Sequence, residues 1–170
     1  TQEERLEISL AMAELYYDLE SIKKSVEFYS QTLDGWNKGW CQQETKCENL
    51  QKRLRNFVVN WSKKKYKTLD PQLLHAFMLY ANTFKSDMEI HMWTAHLALK
   101  LKNLNAATEF YIRTAQLAKN KSDAHSLEGA RLGEIEAAEQ TQNTTMQIKA
   151  YDHYLAELPQ EKKVHEVKYL

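Results

Sequence analysis

Four glycines and two prolines in 170 residues leave this chain poor in turn-forming material. Antiparallel sheets lean on glycine-bearing hairpin turns, so the scarcity argues against a sheet protein and for an all-α one. Cysteine is equally sparse. Cys41 and Cys47 are the only two, and a chain of this length buries about 70% of its unfolded surface without needing a disulfide or a metal. Six positions apart, they would not stack on one helix face. They read as ordinary thiols of a reducing compartment, with an intracellular, cytoplasmic setting ahead of a nuclear one. No apolar run approaches the roughly 20 residues that cross a bilayer. Basic and acidic residues balance at 23 each, which removes any global pull toward nucleic acid or anionic lipid. Thr1-Gln2-Glu3-Glu4-Arg5 has neither an initiator Met nor the apolar core of a signal peptide, so the chain reads as a piece of something longer. Asn60, Asn120 and Asn143 head glycosylation-acceptor tripeptides. That pattern is common by chance, and without a secretory signal it is expected to go unused.

What the chain does have is helical periodicity. Steps of four and three pick out Ile8, Met12, Leu15, Leu19, Ile22, Val26, Tyr29, Leu33, Trp36, Trp40, Gln43, Cys47, Leu50, Leu54, Phe57 and Trp61, polar only at Gln43. Such a heptad seam belongs either to a long coiled-coil helix or to shorter helices that share a packing phase. Gly35 and Gly39 argue against one uninterrupted helix, since glycine costs about 1 kcal/mol relative to alanine in a helix interior. Ser21 is placed to cap a helix starting at Ile22. The spacing predicts helices over 4–19 and 22–33 and a long helix from about 37 to 66. Beyond it, Asp70-Pro71, Ser86-Asp87, Asn103 to Asn105, Ser122-Asp123 and Thr141 to Thr145 punctuate the chain as helix starts. Two successive helices then occupy about 34 to 39 residues, the period of a helical-hairpin repeat. Residues 92–117 are its clearest copy, with one face at Trp93, Leu97 and Leu101 and another at Ala107, Phe110, Thr114 and Leu117.

Ala107, Tyr111 and Thr114 answer the small, aromatic, small pattern in the second helix of a tetratricopeptide repeat, which this stretch resembles. Ala13 and Tyr16 are similar to the small and aromatic positions of a first helix, and Ser25, Tyr29 and Thr32 to those of a second. Tyr151, Leu155 and Pro159 resemble the aromatic, apolar and closing-proline positions, with Gln147 where a small residue is expected. The family's tryptophan and first-helix glycine are absent from their usual places, and Trp93 with Arg113 suits the half-a-tetratricopeptide variant equally well. The resemblance implies one all-α domain over 1–170, built of antiparallel helical hairpins stacked as a short right-handed α-solenoid. Its parts are the seam-bearing helices of 1–69, hairpin repeats over 70–160 and a tail over 161–170. A groove lined by one helix of each pair is the partner site of such stacks.

The run from Gln51 to Lys67 holds seven basic residues, Lys52, Arg53, Arg55, Lys63, Lys64, Lys65 and Lys67, and no acidic one. It suits an acidic protein segment, or phosphates with Trp61 and Tyr66 stacking; the plainer reading is a solvated helix face. Trp36 and Trp40 flank the glycines and are the tryptophans best placed to receive an apolar helix or peptide. Glu134, Glu136 and Glu139 read as a solvated acidic face. His91 and His96 are five apart, so they do not share a helix face as metal ligands, and His75, His125, His153 and His165 are isolated. With no phosphate loop, nucleophile elbow or paired-carboxylate motif, neither an enzyme nor a cofactor is expected. The expected role is a non-enzymatic interaction scaffold within a larger assembly, taking a peptide or helix of acidic character. The alternatives are a coiled-coil oligomerisation module over 8–61, or nucleic-acid or anionic-surface binding through 51–67.

Overall fold

The computed structural model describes residues 1–65 and 69–158, and the described elements are all α-helices. In order they are α1 (Gln2–Asp18), α2 (Ile22–Asn37), α3 (Glu44–Lys65), α4 (Pro71–Thr83), α5 (Met88–Lys100), α6 (Leu104–Asn120), α7 (Ala124–Gln140) and α8 (Thr144–Glu157). They fall into two compact units, residues 1–85 and residues 86–170. Pro159 and Lys67 lie outside the described residues.

Local chemistry accounts for most helix starts. The Asp70 carboxylate accepts from the Gln72 and Leu73 amides at 2.9 and 3.4 Å, with Pro71 in the first turn where its missing N–H costs nothing. Asp87, Asn103, Asp123 and Asn143 cap α5, α6, α7 and α8 through the amides of Ile90, Ala106, Ser126 and Met146. Ser21 stands at the start of α2, but its side chain makes no capping bond.

Helix ends are less ordinary. After α1, α5 and α6, one residue in the left-handed region closes a paired hydrogen-bond turn: Glu20, Lys102 and Ser122, with φ of 56°, 59° and 55°. The following amide reaches back to the helix in each case, from Ser21 to Tyr16 O, Asn103 to Ala98 O and Asp123 to Ala118 O, at 2.8 to 2.9 Å. Gln142 (φ 55°) follows α7 in the same conformation, but there Asn143 donates to the Thr141 hydroxyl, which in turn donates to Ala138 O. Glycine takes this position only at Gly39, φ 74°, after α2. Lysine, serine, glutamate and glutamine do elsewhere what glycine usually does, which is how so many tight helical turns coexist with four glycines.

The long helix expected from about 37 to 66 does not begin at 37. Gly39 terminates α2, residues 38–43 are not helical, and α3 starts at Glu44. The same connection overturns the thiol reading: Cys41 and Cys47 are joined in a disulfide, their Cα atoms 5.6 Å apart. Helical spacing would have parted them, but Cys41 lies on the non-helical stretch and folds back onto the first turn of α3.

In residues 1–85, α1 packs on α2 and α3, and α4 packs on the same two helices. Leu6, Leu10, Ala13, Val26, Tyr29, Leu33, Leu54, Val58, Trp61 and Phe77 form the buried centre, each large apolar side chain contributing roughly 1.5–3 kcal/mol. The Tyr29 hydroxyl donates to Leu54 O at 3.0 Å, fixing α2 against α3. The heptad seam therefore lies on three helices and is not continuous. Its α2 and α3 members are largely buried, but on α1 it points the wrong way: Ile8, Leu15 and Leu19 are exposed, while Leu6, Leu10 and Ala13 face inward.

In residues 86–170, successive helices pack in sequence, α5 on α6, α6 on α7 and α7 on α8. Small residues make the close approach possible. Thr94, Ala95, Ala98, Ala106, Ala107, Thr114, Ala115, Ala118, Ala130, Ala137 and Ala138 are all buried, and a Cβ at Gly133 would overlap the Tyr111 ring. Trp93, Leu97 and Leu101, the expected inner face of α5, are only half-buried. This sequential packing is consistent with a helical repeat.

Candidate partner-binding face

The outward side of α1 is the most unusual surface of the described residues. Ile8 is 63% exposed, Leu15 50% and Leu19 64%. Their spacing of seven and four places them on one stripe, with Met12 between them half-buried. α1 carries Glu3, Glu4, Glu7, Glu14 and Asp18 against a single basic residue, Arg5. The stripe is thus an apolar ridge on an acidic helix.

Beside it, α1 meets the basic helix α3. A pocket of about 350 Å³ opens between them, lined by Tyr17, Phe57 and Trp61 and by Glu14, Asp18, Arg53 and Lys64. The three rings pack with centroids 5.3 to 5.9 Å apart. Burial, followed by the nearby Asp18, raises the Tyr17 hydroxyl above its ordinary range. Arg53 Nη2 sits 2.7 Å from Glu14 Oε2. Lys64 Nζ lies 3.9 Å from Asp18 and 5.1 Å over the Tyr17 ring. Both basic side chains are directed at α1.

The remaining candidates scatter. Lys52 and Lys63 are exposed, and Arg55 is half-buried. Lys65 closes α3, its side chain lying, like Lys67, outside the described residues. Trp36 packs edge-on against Phe84 at 4.9 Å. Trp40 rests against Gly35, with Lys38 Nζ 5.6 Å from its ring. Both tryptophans are half-buried, and neither adjoins the α1–α3 pocket. Trp61 is fully buried, and its indole N–H has no hydrogen-bond partner among the described residues.

Residues 86–170 hold a polar cluster that the sequence hides. Glu134 is not on a solvated face: its side chain is 2% exposed, with Arg131 Nη1 at 2.5 Å and His153 Nδ1 at 2.8 Å. Arg131 Nε also meets Glu157 at 2.8 Å, tying α7 to α8. The hydrogen bond from Arg131 holds the Glu157 carboxyl below its ordinary range. Glu139 keeps an exposed position and accepts from the Tyr151 hydroxyl, which pushes that phenol up to about 12. Arg131 and Glu134 are three apart on α7. That spacing is readable, but their burial depends on α8 and is not.

No protein-family model matches the chain, and no curated protein matches it. Among the described residues, no helix is long and apolar enough to cross a membrane.

Proposed function

We propose that this chain is a non-enzymatic interaction module that receives an amphipathic helix of a protein partner on the outer face of α1. The observation that carries this is the exposed stripe Ile8, Leu15 and Leu19. Two large aliphatic side chains on α1 and a third at its C-cap form an unsatisfied packing surface, and the natural complement is another helix with apolar side chains at three- and four-residue spacing. Glu3, Glu14 and Asp18 already face Lys46, Arg53 and Lys64, so it is the exposed Glu4 and Glu7 that favour a partner helix bringing lysine or arginine to the start of the stripe. They also disfavour a second copy of α1 in the same place, since acid would face acid.

An acidic partner or nucleic acid on α3 draws less support. Arg53 and Lys64 already face Glu14 and Asp18, so that part of the basic run is matched internally. We read the hairpins as tetratricopeptide-like units of a right-handed solenoid and place the chain in a cytoplasmic assembly, a setting in which the Cys41–Cys47 disulfide is subject to reduction.

A photo-crosslinking amino acid at position 15 tests the proposal in cells, with position 148 as control. Ile148 is 55% exposed but stands outside the stripe. Expected is a discrete heteromeric adduct from position 15 and none from 148. Equal labelling at both, or none at either, overturns the reading, and an adduct of twice the chain's mass shows self-association instead.

A further inference from the structure

The connection between α2 and α3 gathers donor atoms that no sequence motif announces. Cys41 and Cys47 meet there, and Glu3 reaches the same place from the first turn of α1. Ligand atoms of the three residues lie within 4.8 Å of one another, and all three residues are half-buried. One oxygen of Glu3 accepts the Gln42 and Gln43 amides at 2.9 and 2.8 Å. The other lies 3.7 Å from Lys46 Nζ.

We propose that when the Cys41–Cys47 disulfide is reduced, the two thiolates and the Glu3 oxygen that faces Lys46 bind a zinc ion, with solvent as the fourth ligand. Thiolates select zinc over magnesium or calcium. On tetrahedral zinc, with Zn–S of about 2.3 Å, two sulfurs sit roughly 3.8 Å apart, so the three donors need only small shifts. The Gln42 and Gln43 amides orient the carboxylate as an outer shell. Two thiolates and one carboxylate on Zn²⁺ leave one negative charge, which Lys46 is placed to offset. The connection then has two closed forms, one in which the disulfide ties Cys41 to Cys47 and one in which the metal ties both to Glu3 of α1. The reduced, metal-free loop is the open one.

The chemistry balances with a phosphine reductant. The S–S bond breaks, each sulfur gains a proton, and the phosphine leaves as its oxide with oxygen from water. Zinc then displaces the two thiol protons.

Cobalt(II) is the probe. Phosphine-reduced protein is expected to take up a single equivalent, showing thiolate-to-cobalt charge transfer in the near ultraviolet and the strong visible bands of tetrahedral cobalt, both erased by zinc. Glu3→Gln, which keeps both cysteines, should weaken binding at least ~10-fold. Oxidised protein, and reduced protein unfolded in guanidinium, should bind far more weakly. The proposal is overturned if reduced native protein shows no thiolate–cobalt band, if it binds no tighter than the unfolded chain, or if Glu3→Gln leaves the affinity unchanged.

Discussion

Residues 86–170 and residues 1–85 bury their helices by different means. In the later unit, each helix folds back on the one before through a turn of three residues, and small side chains let consecutive helices approach closely. In the earlier unit, α1 and α2 share that turn at Glu20, but Gly39 then releases the chain into a non-helical stretch. α3 is placed so that α1 and α4 each contact both α2 and α3. The later unit spends its polar chemistry inside, on Arg131, Glu134 and Glu157. The earlier unit leaves apolar surface outside, on Ile8, Leu15 and Leu19. Under the proposed function, the internally satisfied later unit serves as scaffold and the exposed helix face of the earlier unit as docking site.

The contrast can be broken first at its polar centre. Arg131→Ala leaves the buried Glu134 with His153 alone for a partner and is expected to cost about 3–5 kcal/mol, read by urea denaturation. Replacing both, as Arg131→Met with Glu134→Leu, should restore most of that stability. If the single variant costs under 1 kcal/mol, the buried network is not what joins α7 to α8.

Next in size is the orientation of α1. Leu10→Ala should cost about 2–5 kcal/mol, as a core truncation does, while Leu15→Ala should stay within roughly 0.5 kcal/mol. The reverse ranking would mean that the heptad seam, and not the Leu6–Leu10–Ala13 face, is the buried one.

Acid should weaken the contact between α7 and α8. The Glu157 carboxyl is held below its ordinary value of 4.5 by Arg131. Its contribution is therefore complete above that value and lost as pH falls through the lower folded one. The protection of α8 amides, taken relative to their intrinsic exchange rates at each pH, should fall there, and Glu157→Gln should remove the dependence. An α8 equally protected in the variant and the wild type across that range would contradict it.

The smallest effect sits in the turns. Lys102→Gly or Ser122→Gly removes the side-chain penalty of the left-handed conformation and should stabilise by about 0.5–1 kcal/mol. The same substitution at an exposed position inside α6, such as Gln116, should destabilise by a similar amount. Thermal melts distinguish the two signs.

How legible each unit was follows from the range of the interactions involved. Asp70, Asp87, Asn103, Asp123 and Asn143 announce helix starts because a cap acts within three residues. The left-handed turns went unseen because lysine, serine, glutamate and glutamine carry them. On α1, two apolar stripes compete, and only α2 and α3 decide which is covered. The burial of Glu134 depends on His153, and the meeting of Glu3 with Gln42 and Gln43 spans about 40 positions. Neither leaves a local pattern. Of the candidate site, the basic residues were visible as a run, but their engagement by Glu14 and Asp18 was not.

The central claim is that the outer face of α1 is a docking surface and not incidental exposure. The most direct measurement places the photo-crosslinker at position 12, between the exposed residues, and compares the native stripe with a chain carrying Leu15→Glu and Leu19→Glu. The expected result is a heteromeric adduct with the native stripe that vanishes in the double variant, while the melting temperature stays within about 4 °C, as surface substitutions allow. An adduct that persists in the double variant would contradict the claim.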